Sequence, residues 1–128
     1  MIKYLTAAQI ITIHDELLED FGGLAGIRDK NLLLSALEIP KTSFDNKKIY
    51  PSLFEKASAY LYHLIKNHPF NDGNKRTAYV AVLVFLTINR SPIKFKITDL
   101  EQIVIKVANG KINKDKLAHF FKFGTLSK

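Results

Sequence analysis

The chain has 128 residues, 47% of them hydrophobic, and no cysteine. That is enough to bury one core, and it excludes a disulfide framework, a thiolate nucleophile and a cysteine-bound zinc. The formal charge of +7, from 19 basic and 12 acidic side chains, permits attraction to phosphate-bearing ligands, an acidic partner or nucleic acid without choosing among them.

In chain order the pattern is helical almost throughout. Thr6 and Gln9 form a capping-box pair, and Ile10, Ile13, Leu17 and Leu18 follow at helical spacing, so a first helix is predicted from about Thr6 to Glu19. Phe21-Gly22-Gly23 and Gly26 end it. Asp29 can cap a short second helix carrying Leu32, Leu33, Ala36 and Leu37, stopped by Pro40. Lys41 to Tyr50 reads as a surface loop or small hairpin. Pro51 fits the first turn of a third helix, with Leu53, Phe54, Ala57, Tyr60, Leu61 and Leu64 as its buried stripe.

That helix breaks at Asn67-His68-Pro69, and Pro69 is expected to hold His68 extended. A fourth helix starts near Gly73 or Asn74; it is apolar on nearly every face, which places it at the centre of the molecule. Ile93, Phe95 and Ile97 alternate with lysines over too few residues to demand a sheet. Thr98 and Glu101 read as another capping box opening a fifth helix, and Asn113 can cap a sixth that ends before Gly124. The prediction is an all-α, single-domain chain of about six helices spanning residues 1 to 128. Nothing near Met1 resembles a secretory signal, and the apolar run from Ala78 to Ile88 is too short for a bilayer, so a soluble, cytoplasmic protein without a membrane partner is expected.

Much of the excess charge lies at Lys41, Lys47 and Lys48 and, in the last third, at Lys94, Lys96, Lys106, Lys111, Lys114, Lys116, Lys122 and Lys128. Scattered lysines without an arginine-rich recognition helix or exposed interleaved aromatics argue weakly for nucleic acid and better for a solvated surface or an acidic protein partner.

The chemistry concentrates between His68 and Arg76, where one helix ends and another begins. The first amides of the new helix point outward unpaired and attract anions, and Lys75 and Arg76 add two positive charges at an end where cations are otherwise unfavourable. Asp72 is placed to ligate a hard cation such as magnesium together with substrate phosphates. His68 is a candidate general base, with an ordinary pKa close to neutrality, and Phe70 is an apolar anchor for the loop. Taken singly, each of these residues would have an ordinary structural role; their ordered combination points to phosphate chemistry. His14, His63 and His119 read as structural or surface residues, and Arg28 either pairs with Asp29 or approaches the loop.

His68-Pro69-Phe70-Asn71-Asp72-Gly73-Asn74-Lys75-Arg76 resembles the loop of the Fic/Doc family, written H-x-F-x-D/E-G-N-x-R. The surroundings resemble its death-on-curing toxin branch, through Leu5-Thr6, His14, Gly22-Gly23, Gly26-Ile27-Arg28-Asp29, Leu33, Ala36-Leu37, Pro40, Tyr50-Pro51 and Glu55-Lys56-Ala57. The resemblance implies a compact helical fold with the loop between the third and fourth helices. It implies His68 as catalytic base, Asp72 as magnesium ligand, and Gly73, Asn74, Lys75 and Arg76 as the groups that receive the phosphates of ATP. Lys41 to Tyr50 corresponds to a flap beside the target peptide.

Relatives that transfer AMP carry glycine at the position of Lys75, and often a second arginine at that of Tyr79. Lys75 therefore resembles the toxin branch, which transfers the terminal phosphate of ATP to a threonine of translation elongation factor Tu and halts translation. Gly73 is shared with the AMP transferases, so AMP transfer is the alternative, and a non-catalytic basic protein binding an acidic partner or nucleic acid is a further one. No inhibitory Ser/Thr-x-x-x-Glu-Gly/Asn segment is present, so the resemblance also implies a cognate antitoxin acting in trans.

Overall fold

In the computed structural model, which describes residues 1–126, the expected capping box opens α1 (Ala7–Phe21): the Gln9 amide donates to Thr6 Oγ1 and the Thr6 amide to Gln9 Oε1. Asp29 caps α2 (Lys30–Glu38) by accepting from the Leu32 amide. Pro40 does not end the path abruptly, because it fits the first turn of a 3-10 segment, Ile39–Lys41. The following stretch is a hairpin, β1 (Ser43–Phe44) against β2 (Lys47–Lys48), closed by Asp45 and Asn46 at φ 53° and 63°. Two successive positive φ values are what a tight hairpin turn with the right twist requires.

α3 (Leu53–Asn67) begins two residues later than Pro51 suggests. Ser52 is its N-cap and forms a reciprocal box with Glu55, leaving Pro51 outside the helix. α4 (Asn74–Ile88) follows the loop. α5 (Ile97–Ala108) starts from Lys96 with no side-chain cap, so the predicted Thr98–Glu101 box is not formed: Ile97 is already helical and Thr98 lies inside the first turn. α6 (Lys114–Phe123) has the expected Asn113 cap and ends at a left-handed Gly124. No helix among the described residues is long and apolar enough to cross a membrane.

The centre belongs to α3 rather than to α4. Residues Lys56 through Leu61 of α3 are buried in unbroken succession, which only a helix covered on all sides allows, and α3 packs on α2, α4, α5 and α6. α4 packs on α1, α3 and α5, but its Tyr79, Val80, Leu83 and Val84 are only partly covered. Tyr79 and Val80 of that partly open face line a groove. Tyr60 ties the first residues to the core: its hydroxyl accepts from the Leu5 amide, its ring meets Phe85 edge-on at 4.9 Å, and burial pushes the phenol pKa up to about 12.

Candidate active site

The loop joining α3 to α4 is braced along its outer side by residues 24–29. The Asn71 amide donates to Gly26 O, and the Arg28 and Asp29 amides both donate to Pro69 O at 2.7 and 3.0 Å, forming an isolated antiparallel bridge between Ile27 and Phe70. Asn71 Nδ2 donates to Ala25 O. Residues far apart in sequence thus behave as two short strands, although the loop's sequence carries no strand signal.

His68 departs from expectation. Its backbone is left-handed, φ 50° and ψ 55°, and not extended. Pro69 disfavours the right-handed helical region at His68, and the left-handed region is the other way out of a helix. For a non-glycine residue this costs about 1–2 kcal/mol. The Arg28 guanidinium offsets it from outside, donating through Nε to His68 O at 2.7 Å and through Nη2 to Asn67 O at 2.9 Å.

Phe70 is the anchor the sequence suggested, 1% exposed. Its ring lies parallel to that of His14, with centroids 3.8 Å apart and planes 9° from coplanar. His14 is itself buried, and its Nε2–H donates to the Asp72 carbonyl at 2.8 Å, a contact that fixes its tautomer because a carbonyl only accepts. His14 is therefore part of the site's support. The signal available in sequence was its register, one turn from Ile10 on the inward face of α1.

Asn74 closes the loop. The Phe70 amide donates to Asn74 Oδ1 at 2.9 Å, while Asn74 Nδ2 donates to Phe70 O at 2.9 Å and to His68 Nδ1 at 3.1 Å. The carboxamide pairs with Phe70 as a neighbouring strand would. Its orientation follows from the two Phe70 groups, so His68 Nδ1 is an acceptor and the neutral ring carries its proton on Nε2. With its side chain so engaged, Asn74 faces any anion through its backbone.

Both Asp72 oxygens meet amides: Leu24 N–H donates to Oδ2 at 3.2 Å and Gly73 N–H to Oδ1 at 2.9 Å. These two amides, with smaller help from Arg76 and His14, hold the carboxyl below its ordinary pKa, so it is ionised near neutrality. Gly23 leaves the space for this arrangement, since a Cβ there would stand 2.9 Å from Asp72 Oδ2. Among the described residues no cluster of three or more His, Asp or Glu side chains could hold a metal. An ionised carboxylate beside an uncapped helix start nevertheless fits magnesium that arrives with a nucleotide, since that ion takes one or two carboxylates and fills its shell with phosphates and water.

α4 begins at Gly73, φ 75°, with no side-chain cap and no acidic residue in its first turn. Lys75 and Arg76 are exposed there, and the Arg76 guanidinium rests over the Phe21 ring, 4.2 Å from its centroid. These groups open into a groove of about 890 Å³, whose polar end is His68, Asp72, Gly73, Lys75 and Arg76 and whose apolar walls include Leu17, Val80, Val104 and Ile105. The groove brings together His68, Asp72, Gly73, Asn74, Lys75 and Arg76, while residues 41–50 do not line it. Behind it stand His14 and Arg28, the latter by the approach to the loop that the sequence left open beside pairing with Asp29.

A model of the Fic/DOC family matches residues 4–86. The chain is 34% identical over 120 residues to "Toxin Doc" of Mycolicibacterium smegmatis, covering 92% of this chain and 90% of that one. It is 28% identical over 117 residues to "Protein kinase doc" of Escherichia phage P1, covering 91% of each. The loop from His68 to Arg76, the helix order around it and these matches agree, and the chain belongs to the Fic/DOC family, on its Doc toxin side.

Proposed function

We propose that this protein transfers the terminal phosphate of ATP to a protein hydroxyl, with a threonine of translation elongation factor Tu as the candidate acceptor, and so stops translation. The observation that carries the reading is the convergence on one groove of an exposed histidine, an ionised aspartate and an uncapped helix start bearing Lys75 and Arg76. The similarity to a protein named as a kinase supports phosphate, rather than another group, as the cargo.

In this account His68 receives the proton of the attacking hydroxyl. Its lone pair is on Nδ1 and turned toward Asn74, so the exposed ring rotates away from that amide to meet the hydroxyl. The α4 amides, Lys75 and Arg76 take the phosphate oxygens, and the amides, fixed by the helix, supply charge stabilisation without reorganisation at the moment of transfer. Arg76 leaves Phe21 to do so, giving up an exposed contact worth about 0.5–1 kcal/mol. Asp72 holds magnesium together with the phosphates; when bound, the ion neutralises charge on the transferring group. A cognate antitoxin acting in trans controls the site, and the net charge of +7 suits an acidic covering segment.

The test is label transfer from ATP marked at either its γ or its α phosphate, in a translating cell extract with magnesium. The reading predicts γ label on a protein and none from the α position. Transfer of α label would instead establish AMP transfer, the alternative that Gly73 allows.

A further inference from the structure

We infer that Arg28 is the positioning residue for His68, setting the backbone from which the proposed base works; this rests on the reading of His68 given above. The guanidinium reaches the carbonyl of Asn67, the last residue of α3, at 2.9 Å and that of His68, its C-cap, at 2.7 Å. Carbonyls at a helix C-terminus lack intrahelical donors and carry the negative end of the helix dipole, so a planar two-point donor with full charge suits them. Arg28 makes no salt bridge among the described residues, and two of its three guanidinium nitrogens serve this turn.

The placement is more specific than a helix cap needs. One of the two carbonyls belongs to His68 itself, whose left-handed φ of 50° aims the ring toward Asn74 and the groove. The guanidinium thus holds the peptides on both sides of His68's Cα, and the amide of Arg28 grips Pro69 O, one peptide further on, at 2.7 Å. Asp29, the neighbour that could have drawn the guanidinium away, spends its carboxylate capping α2. Removing the side chain leaves the Pro69 contacts and frees the His68 carbonyl, so the imidazole wanders while the phosphate end of the site stays intact.

The experiment compares Arg28→Met, Arg28→Lys and the parent by three readouts: kcat and ATP KM for transfer, ATP binding by calorimetry, and the ring resonances of His68 in histidine-labelled protein. Arg28→Met is expected to lower kcat about 10- to 100-fold, as a misplaced reacting group does, with ATP KM and affinity within about twofold of the parent. The His68 resonances should shift or broaden while those of His63 and His119 stay in place. Arg28→Lys should recover part of kcat, because an ammonium can serve only one carbonyl well, and added guanidinium should raise kcat of the Met variant. Unmoved His68 resonances, or a joint fall of kcat, ATP affinity and melting temperature, would overturn the inference and leave Arg28 a structural cap. If the parent itself transfers no phosphate, the functional reading fails, and the ring resonances still decide whether Arg28 places His68.

Discussion

Replacing Asn74 with alanine tests the loop's construction directly. Asn74 is 6% exposed, and its carboxamide satisfies both backbone polar groups of Phe70, a residue 1% exposed. In Asn74→Ala those groups lose their partners, and an unpaired buried donor or acceptor costs about 1–3 kcal/mol. The neighbours Asn71 and Asp72 are exposed, so water regains part of the loss, and the net expectation is about 2–4 kcal/mol. Against a total stability of about 5–15 kcal/mol this is a large fraction, and for a chain of this size it lowers Tm by roughly 6–15 °C. Asn74→Asp separates shape from hydrogen bonding: it keeps an acceptor for the Phe70 amide but sets a carboxylate oxygen against Phe70 O and His68 Nδ1. It should destabilise as well. Calorimetry gives Tm, and amide exchange at Phe70 reports the lost partner. An Asn74→Ala protein that melts within about 3 °C of the parent, with the Phe70 amide still protected, would refute the reasoning.

Gly23→Ala places a Cβ 2.9 Å from Asp72 Oδ2 and 3.1 Å from Leu18 Cδ2, at a φ of 122° that L residues rarely adopt. The expected cost is about 1–3 kcal/mol, with weaker magnesium–ATP binding by calorimetry; unchanged binding would show that Asp72 does not need that space. The Asp72 carboxyl lies below its ordinary pKa because the Leu24 and then the Gly73 amide bind its charged form. Its contribution to loop order is therefore complete above about pH 4 and lost as pH falls through the lowered folded value. The protection factor of the Leu24 amide should fall over that acid range in the parent, and Asp72→Asn should abolish the dependence. His63 is drawn down to about 4 by burial first and the Lys114 ammonium second, the ammonium donating to His63 Nε2 at 2.9 Å. Stability from its neutral form is full above about pH 6.5 and declines as pH falls from there toward the folded value. Ring titration by NMR should show a midpoint near 4 that rises in Lys114→Met; a midpoint at the ordinary value in the parent would contradict the placement.

Local chemistry made much of the fold legible. Thr6–Gln9, Asp29 and Asn113 could be read as caps because a side-chain oxygen at the right offset satisfies a helix amide wherever the helix sits. The same logic erred at Thr98 and Glu101, where an equally good pair lost to Ile97 entering the helix first, and it passed over Ser52 and Glu55 in favour of Pro51. Tertiary placement was harder. α4 is the more uniformly apolar sequence, yet α3 is the covered helix, because apolar residues on α4 also floor the groove. The members of the site were visible as a run of nine residues, but their bracing was not. His14, Arg28, the Leu24 amide and the Gly26 carbonyl act across 40 to 58 positions of sequence. No local pattern encodes such pairings.

Intact-mass spectrometry of purified elongation factor Tu, incubated with this protein, magnesium and ATP beside an otherwise identical His68→Ala sample, tests the central claim most directly. The account predicts addition of one phosphate by the parent and none by the variant. Equal phosphate addition by both would contradict the role of His68, and addition of AMP, or no addition by the parent, would contradict phosphate transfer to this acceptor.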